Sequence, residues 1–309
     1  MFTVLVGIAD GCLAARPSIS FAWPSEREGL ILGRRSSRYA SHHRRIQQST
    51  PTRPFRLPGG LVSPASMNEN TENLDSEDSF EAALQRHGME FDAPLAESLR
   101  QYAELMWRYN EQLNLTRHTT WDLFVGRDLR DCLQLAHLIQ PDEVVLDLGS
   151  GNGVPGIPLA ILRPDVEVSL AESVGKRAKV LDEMVTELNL AVPVYAARGE
   201  QLLEDFRFTT IVSRAVGSLL KFCRWVEPHW SSFDRLLLVK GPRWVEERGE
   251  ARHHGALKEV DLRVLASYPL GPPALDGGDD ETPEGDEGAD DAGPGQGVVL
   301  QLSRKGRFE

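Results

Sequence analysis

VLDLGSGNGVPGIPL, residues 145–159, is the stretch on which the architecture turns. Val145 to Leu148 reads as a buried strand that runs straight into Gly149, Gly151, Gly153 and Gly156, and a helix opens around Pro155 to Pro158. Glycines let the backbone turn tightly and approach a ligand with no Cβ in the way, and proline suits a first helical turn. Gly151-x-Gly153-x-x-Gly156 also matches the dinucleotide fingerprint, which is a weak signal by itself.

Two acids on either side of the glycines decide what the loop holds. Asp147 lies two residues before Gly149, at the expected mouth of the strand, where a carboxylate attracts a cationic ligand directly or through water. A pyrophosphate is repelled by that charge. Glu172 ends the next strand, 16 residues after Gly156, where a carboxylate can accept hydrogen bonds from both hydroxyls of a ribose. A ligand with a ribose, a positive centre and no phosphate satisfies both, and S-adenosylmethionine is such a ligand.

Working outward, short β-rich runs near 143–148, 166–171, 192–196, 208–213 and 234–239 alternate with helical patterns near 156–163, 174–189, 217–230 and 243–252. That alternation predicts an α/β fold with a mostly parallel sheet and helices on both faces, in which ligands bind beyond the carboxyl ends of the strands. Upstream, Leu95, Leu99, Tyr102, Met106, Tyr109 and Leu113 recur at three- and four-residue steps and predict a helix over 95–113, followed by a second over 122–138. The loops after the later strands carry Ala197-Arg198-Gly199-Glu200, Ser213-Arg214-Ala215 and Lys240-Gly241. Backbone groups of Gly199 and Glu200 are placed to read an adenine edge. Arg198, Arg214 and Lys240, at successive strand ends, are expected to form one positive rim suited to an RNA phosphate or an electron-rich base. Lys176, Arg177 and Lys179 either extend it or form a solvated helix face.

At 309 residues the chain has room for one large domain or two small ones at roughly 100–200 residues each. Its 41% hydrophobic and 26% charged residues exclude disorder from end to end, and its apolar runs fall far short of the roughly 20 residues a membrane-spanning helix needs. The three cysteines, Cys12, Cys132 and Cys223, are isolated, so neither a disulfide framework nor a zinc site is expected, and a reducing, cytoplasmic setting is the default. His42-His43 and His253-His254 are adjacent pairs that do not share a helix face, so no metal is expected.

The net charge of −12 divides unevenly. Residues 1–66 carry nine Arg, no Lys and three acids, and read as a disordered leader. A start placed too early, with Met67 as the natural one, is the preferred reading; an organelle-targeting peptide and a functional tail are the others. Residues 271–296 hold nine acids and no base and read as a solvated acidic insertion between strands at 260–267 and 298–303. The remaining body carries about −9, which argues against a generic basic nucleic-acid binder. The expected organisation is therefore a leader (1–66), a helical region (67–140) and a sheet domain (141–309) containing the insertion.

Trp107 with Asn110, Asn114-Leu115-Thr116, Arg127 with Asp131, DLGSGNGVPGIPLAI, Glu172 with Gly175-Lys176-Arg177, Arg198-Gly199-Glu200, Ser213-Arg214-Ala215 and Lys240-Gly241 together resemble the RsmG family, also described as glucose-inhibited division protein B, in order over about 80–270. The resemblance implies a class I S-adenosylmethionine-dependent methyltransferase of Rossmann-like fold with an N-terminal helical extension. It also implies methylation of N7 of a guanine in the decoding region of 16S rRNA, within the small ribosomal subunit or an assembly intermediate. By position it puts cofactor contacts on Gly149, Val154, Gly199, Glu200 and Arg214, besides Asp147, Gly151, Gly153 and Glu172 read above. Arg214 and Arg198 are the expected catalytic residues, and Lys240, Lys176, Arg177 and Arg127 the expected RNA contacts. The chain departs from the family at Asp128, where a His usually follows Arg127, at Gln296, near a usual Arg, and in its acidic insertion.

Guanine N7 is already a nucleophile, so alignment and electrostatics are required and a general base is not. The sequence agrees by omission: it has no Asn-Pro-Pro-Tyr type motif for an exocyclic amine and no Pro-Cys dipeptide for covalent attack on a pyrimidine. Rival readings are an NAD(P)-dependent oxidoreductase using the same loop and a non-catalytic ribosome-assembly factor that binds RNA.

Overall fold

A computed structural model of the chain describes residues 78–214, 217–271 and 295–306. Its N-terminal part is helical, and each of the first two helices begins at a residue able to cap it. α1 (Phe80–Arg86) follows Ser79, whose hydroxyl accepts from the Ala82 N–H, and α2 (Ala93–Leu113) follows Asp92, whose carboxylate accepts from the Leu95 N–H at 2.9 Å. Such caps satisfy N–H groups that have no partner inside the helix. The apolar face read along α2 is real: Leu99, Tyr102 and Met106 are fully buried, and Leu95, Tyr109 and Leu113 pack at the margin of the core.

The helix expected over 122–138 runs instead as α3 (Trp121–Leu123), a turn widened to π-helical pitch (Phe124–Leu129) and α4 (Arg130–Leu138). The His87 ring lies against this wide turn so closely that a Cβ on Gly126 would stand 2.4 Å from it. The widening also carries Asp128 fully into the interior. π turns of this kind are frequent at functional sites.

Seven strands, β1 (Val144–Leu148), β2 (Glu167–Ala171), β3 (Val194–Tyr195), β4 (Phe208–Arg214), β5 (Phe233–Lys240), β6 (Val260–Pro269) and β7 (Gln296–Arg304), form one sheet in the order β3-β2-β1-β4-β5-β7-β6. The first five are parallel; β7 runs antiparallel to β5 and β6 antiparallel to β7. α5 (Gly156–Leu162), α6 (Gly175–Glu187), α7 (Gly199–Asp205), α8 (Leu219–Val226) and α9 (Trp244–His253) complete the described elements. Alternate residues of each strand enter two apolar layers. Val145, Leu170, Val212 and Leu237 pack with α2, α4, α5 and α6, while Leu146, Leu148, Ile211 and Leu236 pack with α7 and α8. Burial on both faces is what a parallel sheet requires.

Several boundaries differ from the sequence reading. β3 keeps only two of the residues expected over 192–196, because Pro193 offers a carbonyl to the Leu170 N–H at 2.9 Å but has no N–H to return. The helix expected over 217–230 is α8, which gives way before Pro228 to a short 3-10 turn at Glu227–His229. α1 was not legible, and the stretch after Arg198, read as a loop, continues as α7. The acidic insertion is narrower than 271–296: Gln296 already pairs with Pro269, and the Gly295 carbonyl accepts from the Leu270 N–H at 2.8 Å. The remainder of that insertion and the leader over 1–66 lie outside the described residues. Among the described residues no helix is long and apolar enough to cross a membrane.

β1 has β2 on one side and β4 on the other, so the order of the strands reverses there. In open α/β sheets the crevice outside the carboxyl ends at such a point is where ligands bind.

Candidate active site

The loop from Gly149 to Pro155 folds over the end of β2. Gly149 and Ser150 both donate their N–H to the Ala171 carbonyl, at 2.9 and 3.1 Å. Gly149, Gly151 and Gly153 have φ of 74°, 56° and 97°, left-handed values that disfavour any side chain. Glu172, 5% exposed, pins the loop: one carboxylate oxygen accepts from Gly151 N–H at 3.0 Å and the other from Val174 N–H at 2.8 Å. A carboxylate has about four acceptor positions, so further donors can be accommodated. The N-terminal helices hold the same loop from the other side. The Tyr102 hydroxyl donates to the Asn152 carbonyl at 3.1 Å, and the Asn152 side chain accepts from Val154 N–H at 3.2 Å.

Asp147 does not stand at the mouth of the strand as expected. It is fully buried beneath the loop, with Oδ2 accepting from Gly156 N–H at 3.0 Å and Oδ1 without a hydrogen-bond partner among the described residues. The third glycine of the fingerprint permits this packing, since a Cβ on Gly156 would lie 2.2 Å from Leu170 and 2.7 Å from Asp147 Oδ2. Burial pushes the Asp147 carboxyl up to about 7, against the lowering effect of the Gly156 N–H. Between about pH 4, the unfolded carboxyl value, and pH 7 the folded state therefore holds a proton that the unfolded chain has lost, so this group makes stability fall as pH rises. Asp147→Asn keeps an acceptor for Gly156 and cannot ionise. Its melting temperature, compared with wild type from pH 5 to pH 8, should gain on wild type up to about pH 7 and then run parallel. Curves parallel throughout would mean that the carboxyl ionises in the fold as freely as in water.

Gly199 opens α7 after the end of β3, with Arg198 exposed just before it and Glu200 half-buried just after. A Cβ on Gly199 would stand 2.4 Å from Leu148 and 2.7 Å from Trp225, so packing alone requires glycine here. Lys176 is exposed and Arg177 half-buried in the first turn of α6, and Arg127 is half-buried in the π turn.

The single positive rim is not what the strand ends form. Arg214, 17% exposed at its side chain, donates to Asp128 and, at 3.5 Å, to Asp131. Asp131 also accepts from the Tyr268 hydroxyl at 2.7 Å, and His118 Nδ1 lies 2.7 Å from Asp128. Burial works to raise both carboxyls. For Asp128 the Arg214 guanidinium and His118 outweigh it and hold the group below the usual value, whereas Asp131 stays above its own. Lys240, 8% exposed, donates to the Gly217 carbonyl at 2.7 Å and to Glu247 at 2.9 Å. Sequence reasoning missed His118 and Tyr268, which reach the carboxylates beside Arg214, and Glu247, which pairs with Lys240 from seven residues along the chain. Asp128 was noticed only as a departure from the family pattern.

Beyond β4 and β5 lies a cavity of about 350 Å3, lined by Asp131, Arg214, Lys240, Gly241, Glu247 and Gly297 among others. Its wall carries two cations and two carboxylates, so it offers both donors and acceptors to a flat polar ligand.

Comparison with known proteins gives the chain's relatives. A family model described as rRNA small subunit methyltransferase G matches residues 95–268. The chain is 71% identical over 234 residues to the ribosomal RNA small subunit methyltransferase G of Rhodopirellula baltica, covering 76% of this chain and 99% of that one. It is 37% identical over 188 residues to the protein of the same name from Mycolicibacterium paratuberculosis, covering 59% and 75%. A solved precorrin-6y C5,15-methyltransferase from Geobacter metallireducens matches with a TM-score of 0.39 at 11% identity, over 57% of this chain and 87% of that one.

Proposed function

Because the chain belongs to the rRNA small subunit methyltransferase G family, we propose that it transfers the methyl group of S-adenosylmethionine to N7 of a guanine in 16S rRNA, in the cytoplasm. The observation that carries this is a glycine loop after β1, pinned by Glu172, with a mixed-charge cavity beyond the adjacent strands β4 and β5.

The residues fit the cofactor. A Cβ built on Gly151 meets nothing nearer than the Gly149 carbonyl at 3.8 Å, so the backbone there faces open space. Glu172 keeps acceptor capacity for ribose hydroxyls, Gly149, Gly153 and Val154 shape the loop, and Gly199 with Glu200 line the next strand end for the adenine. When bound, S-adenosylmethionine supplies an electrophilic methyl on a positively charged sulfur.

This chain's residues then have two tasks. The first is to orient the base, whose N7 and O6 accept hydrogen bonds while N1 and the 2-amino group donate them. Arg214 and Lys240 supply donors in the cavity wall, and Asp131 and Glu247 supply acceptors. The second is electrostatic. N7 attacks through its lone pair and loses no proton, so the positive charge that leaves sulfur appears on the purine. Carboxylates held beside the base favour that shift in a way a purely positive rim would not. Arg198, Arg127, Lys176 and Arg177 are left for phosphates nearer the mouth.

The test is methylation of small subunits and of naked 16S rRNA lacking the modification, with the methyl group mapped by strand cleavage at 7-methylguanine. Label at one guanine, sensitive to that cleavage, is expected. Label on another base, or S-adenosylhomocysteine binding without transfer to either RNA, would overturn the reading.

A further inference from the structure

Two of the three cations at the strand ends are neutralised, Arg214 by Asp128 and Asp131 and Lys240 by Glu247, and Lys179 on α6 is paired with Glu183. A different set converges without such partners. Around α9, the turn after it and the start of β6 lies a groove of about 380 Å3 whose wall contains Arg248, Arg252, Lys258 and Lys305 together with Leu257 and Leu262. Among the described residues none of these four cations has a carboxylate within ion-pair distance. Asp261, the acid in the wall, is taken by Arg263 at 2.7 Å. Arg248 lies over the Trp244 ring at 4.9 Å, and Lys305 donates to the Lys258 carbonyl, so two of the four are held in place.

Gathering like charges without counter-ions opposes folding by self-repulsion, and a polyanion relieves it. The patch stands out all the more in a chain of net charge −12. Its position is informative as well. Arg248 and Arg252 are about one turn apart on α9, roughly 6 Å along its axis, so they form a short cationic stripe. On β7, Val298 pairs with Lys240 at the cavity and Arg304 pairs with Val260 at the groove. Six residues of strand, roughly 20 Å, separate those ends.

We propose that this groove binds the sugar–phosphate backbone of the rRNA substrate, as an anchor roughly 20 Å along the sheet from the base being methylated. The proposal rests on the function proposed above. The four cations meet phosphate oxygens, the leucines of the same wall accept the apolar faces of riboses, and no base edge is read. The anchor therefore contributes affinity without sequence preference, and it supplies attraction that the acidic body otherwise withholds.

The experiment compares the full chain with Arg248→Ala/Arg252→Ala/Lys258→Ala and with Arg248→Lys/Arg252→Lys. Binding of 16S rRNA is measured by filter retention across a salt series, S-adenosylhomocysteine binding by titration, and methylation by KM and kcat for the RNA. For the triple Ala variant the slope of log K against log salt should shrink by about 2 to 3, and KM should rise on the order of 10-fold or more. kcat and S-adenosylhomocysteine affinity should stay within about 2-fold of wild type, since neither site is touched. The Lys variant should keep the wild-type slope. An unchanged slope and KM in a normally melting triple variant overturns the anchor and leaves the methyltransferase reading standing. Loss of slope in the Lys variant equal to that in the Ala variant overturns it too, because packing and not charge would be responsible. A wild type that shows the groove-dependent slope yet methylates neither RNA sinks the function and spares the anchor.

Discussion

Arg214→Ala should lower the melting temperature by on the order of 10 °C. The substitution leaves Asp128 and Asp131 facing one another in the interior with no guanidinium between them, and removing one partner of a buried ion pair costs about 3–5 kcal/mol. At about 2–4 °C per kcal/mol for a folded unit of this size, that is the expected drop. A side chain that simply faced the cleft could be removed with little effect on stability; the two carboxylates bound to Arg214 make the loss costly. The deficit also has a pH signature. Although burial raises it, Asp128 is held below its ordinary value by Arg214 and His118, so its contribution is present above the unfolded carboxyl value and disappears as pH falls through the folded one. The gap between wild type and variant should thus be widest near neutral pH and narrow below about pH 4. Arg214→Lys restores charge without the planar fork and should recover only part of the loss. Because Arg214 also lines the cavity, methyl transfer by the folded Ala variant should be slower on the order of 100-fold. Thermal melts at pH 7 and at about pH 3, below the unfolded carboxyl value, check the first claim; a variant that melts like wild type at both would show that the network carries no stability.

Gly151→Val should weaken S-adenosylmethionine binding on the order of 100-fold or more while the protein remains folded. With φ at 56°, a β-branched residue here is strained by about 1–2 kcal/mol, which a protein of this size survives. No clash accompanies the strain, since the added Cβ meets only the Gly149 carbonyl at 3.8 Å. The isopropyl group projects instead into the space before the loop. Gly156→Ala makes the contrast: its Cβ would collide with Leu170 at 2.2 Å and with Asp147 at 2.7 Å, so it should lose stability first and binding as a consequence. Titration with S-adenosylhomocysteine alongside thermal melts separates the two. Wild-type affinity in a folded Gly151→Val protein would remove the loop from the cofactor site.

Much of the fold is local and was therefore legible. The glycine spacing over 149–156, the period of α2 and the alternation of strands with helices each state a preference within a few turns of chain, and the sheet follows from packing apolar strands on both faces. Glu172 was found the same way, since a carboxylate at the end of the second strand has few places to go once the first strand leads into glycines. The resemblance to the methyltransferase family rested on the same local motifs, and the family match over 95–268 bears it out.

What the sequence could not state is which charges meet. Arg214 is joined to Asp128 across 86 positions, Tyr268 to Asp131 across 137, and Tyr102 to the Asn152 carbonyl across 50. No pattern along the chain encodes such pairings, because they depend on how helices, sheet edge and loop close on one another. A run of arginines and lysines at strand ends therefore looked like a positive rim, although the fold supplies carboxylates to Arg214 and Lys240 and gathers four other cations, without ion pairs among the described residues, in the groove beside α9. The π turn escaped the reading for the same reason: a helical period announces a helix, but the packing of the His87 ring against Gly126 in the widened turn exists only in the folded chain. Backbone preference and apolar period are properties of neighbouring residues and can be read in order, whereas the charge state of a side chain is set by its surroundings in three dimensions, and only the folded chain has those.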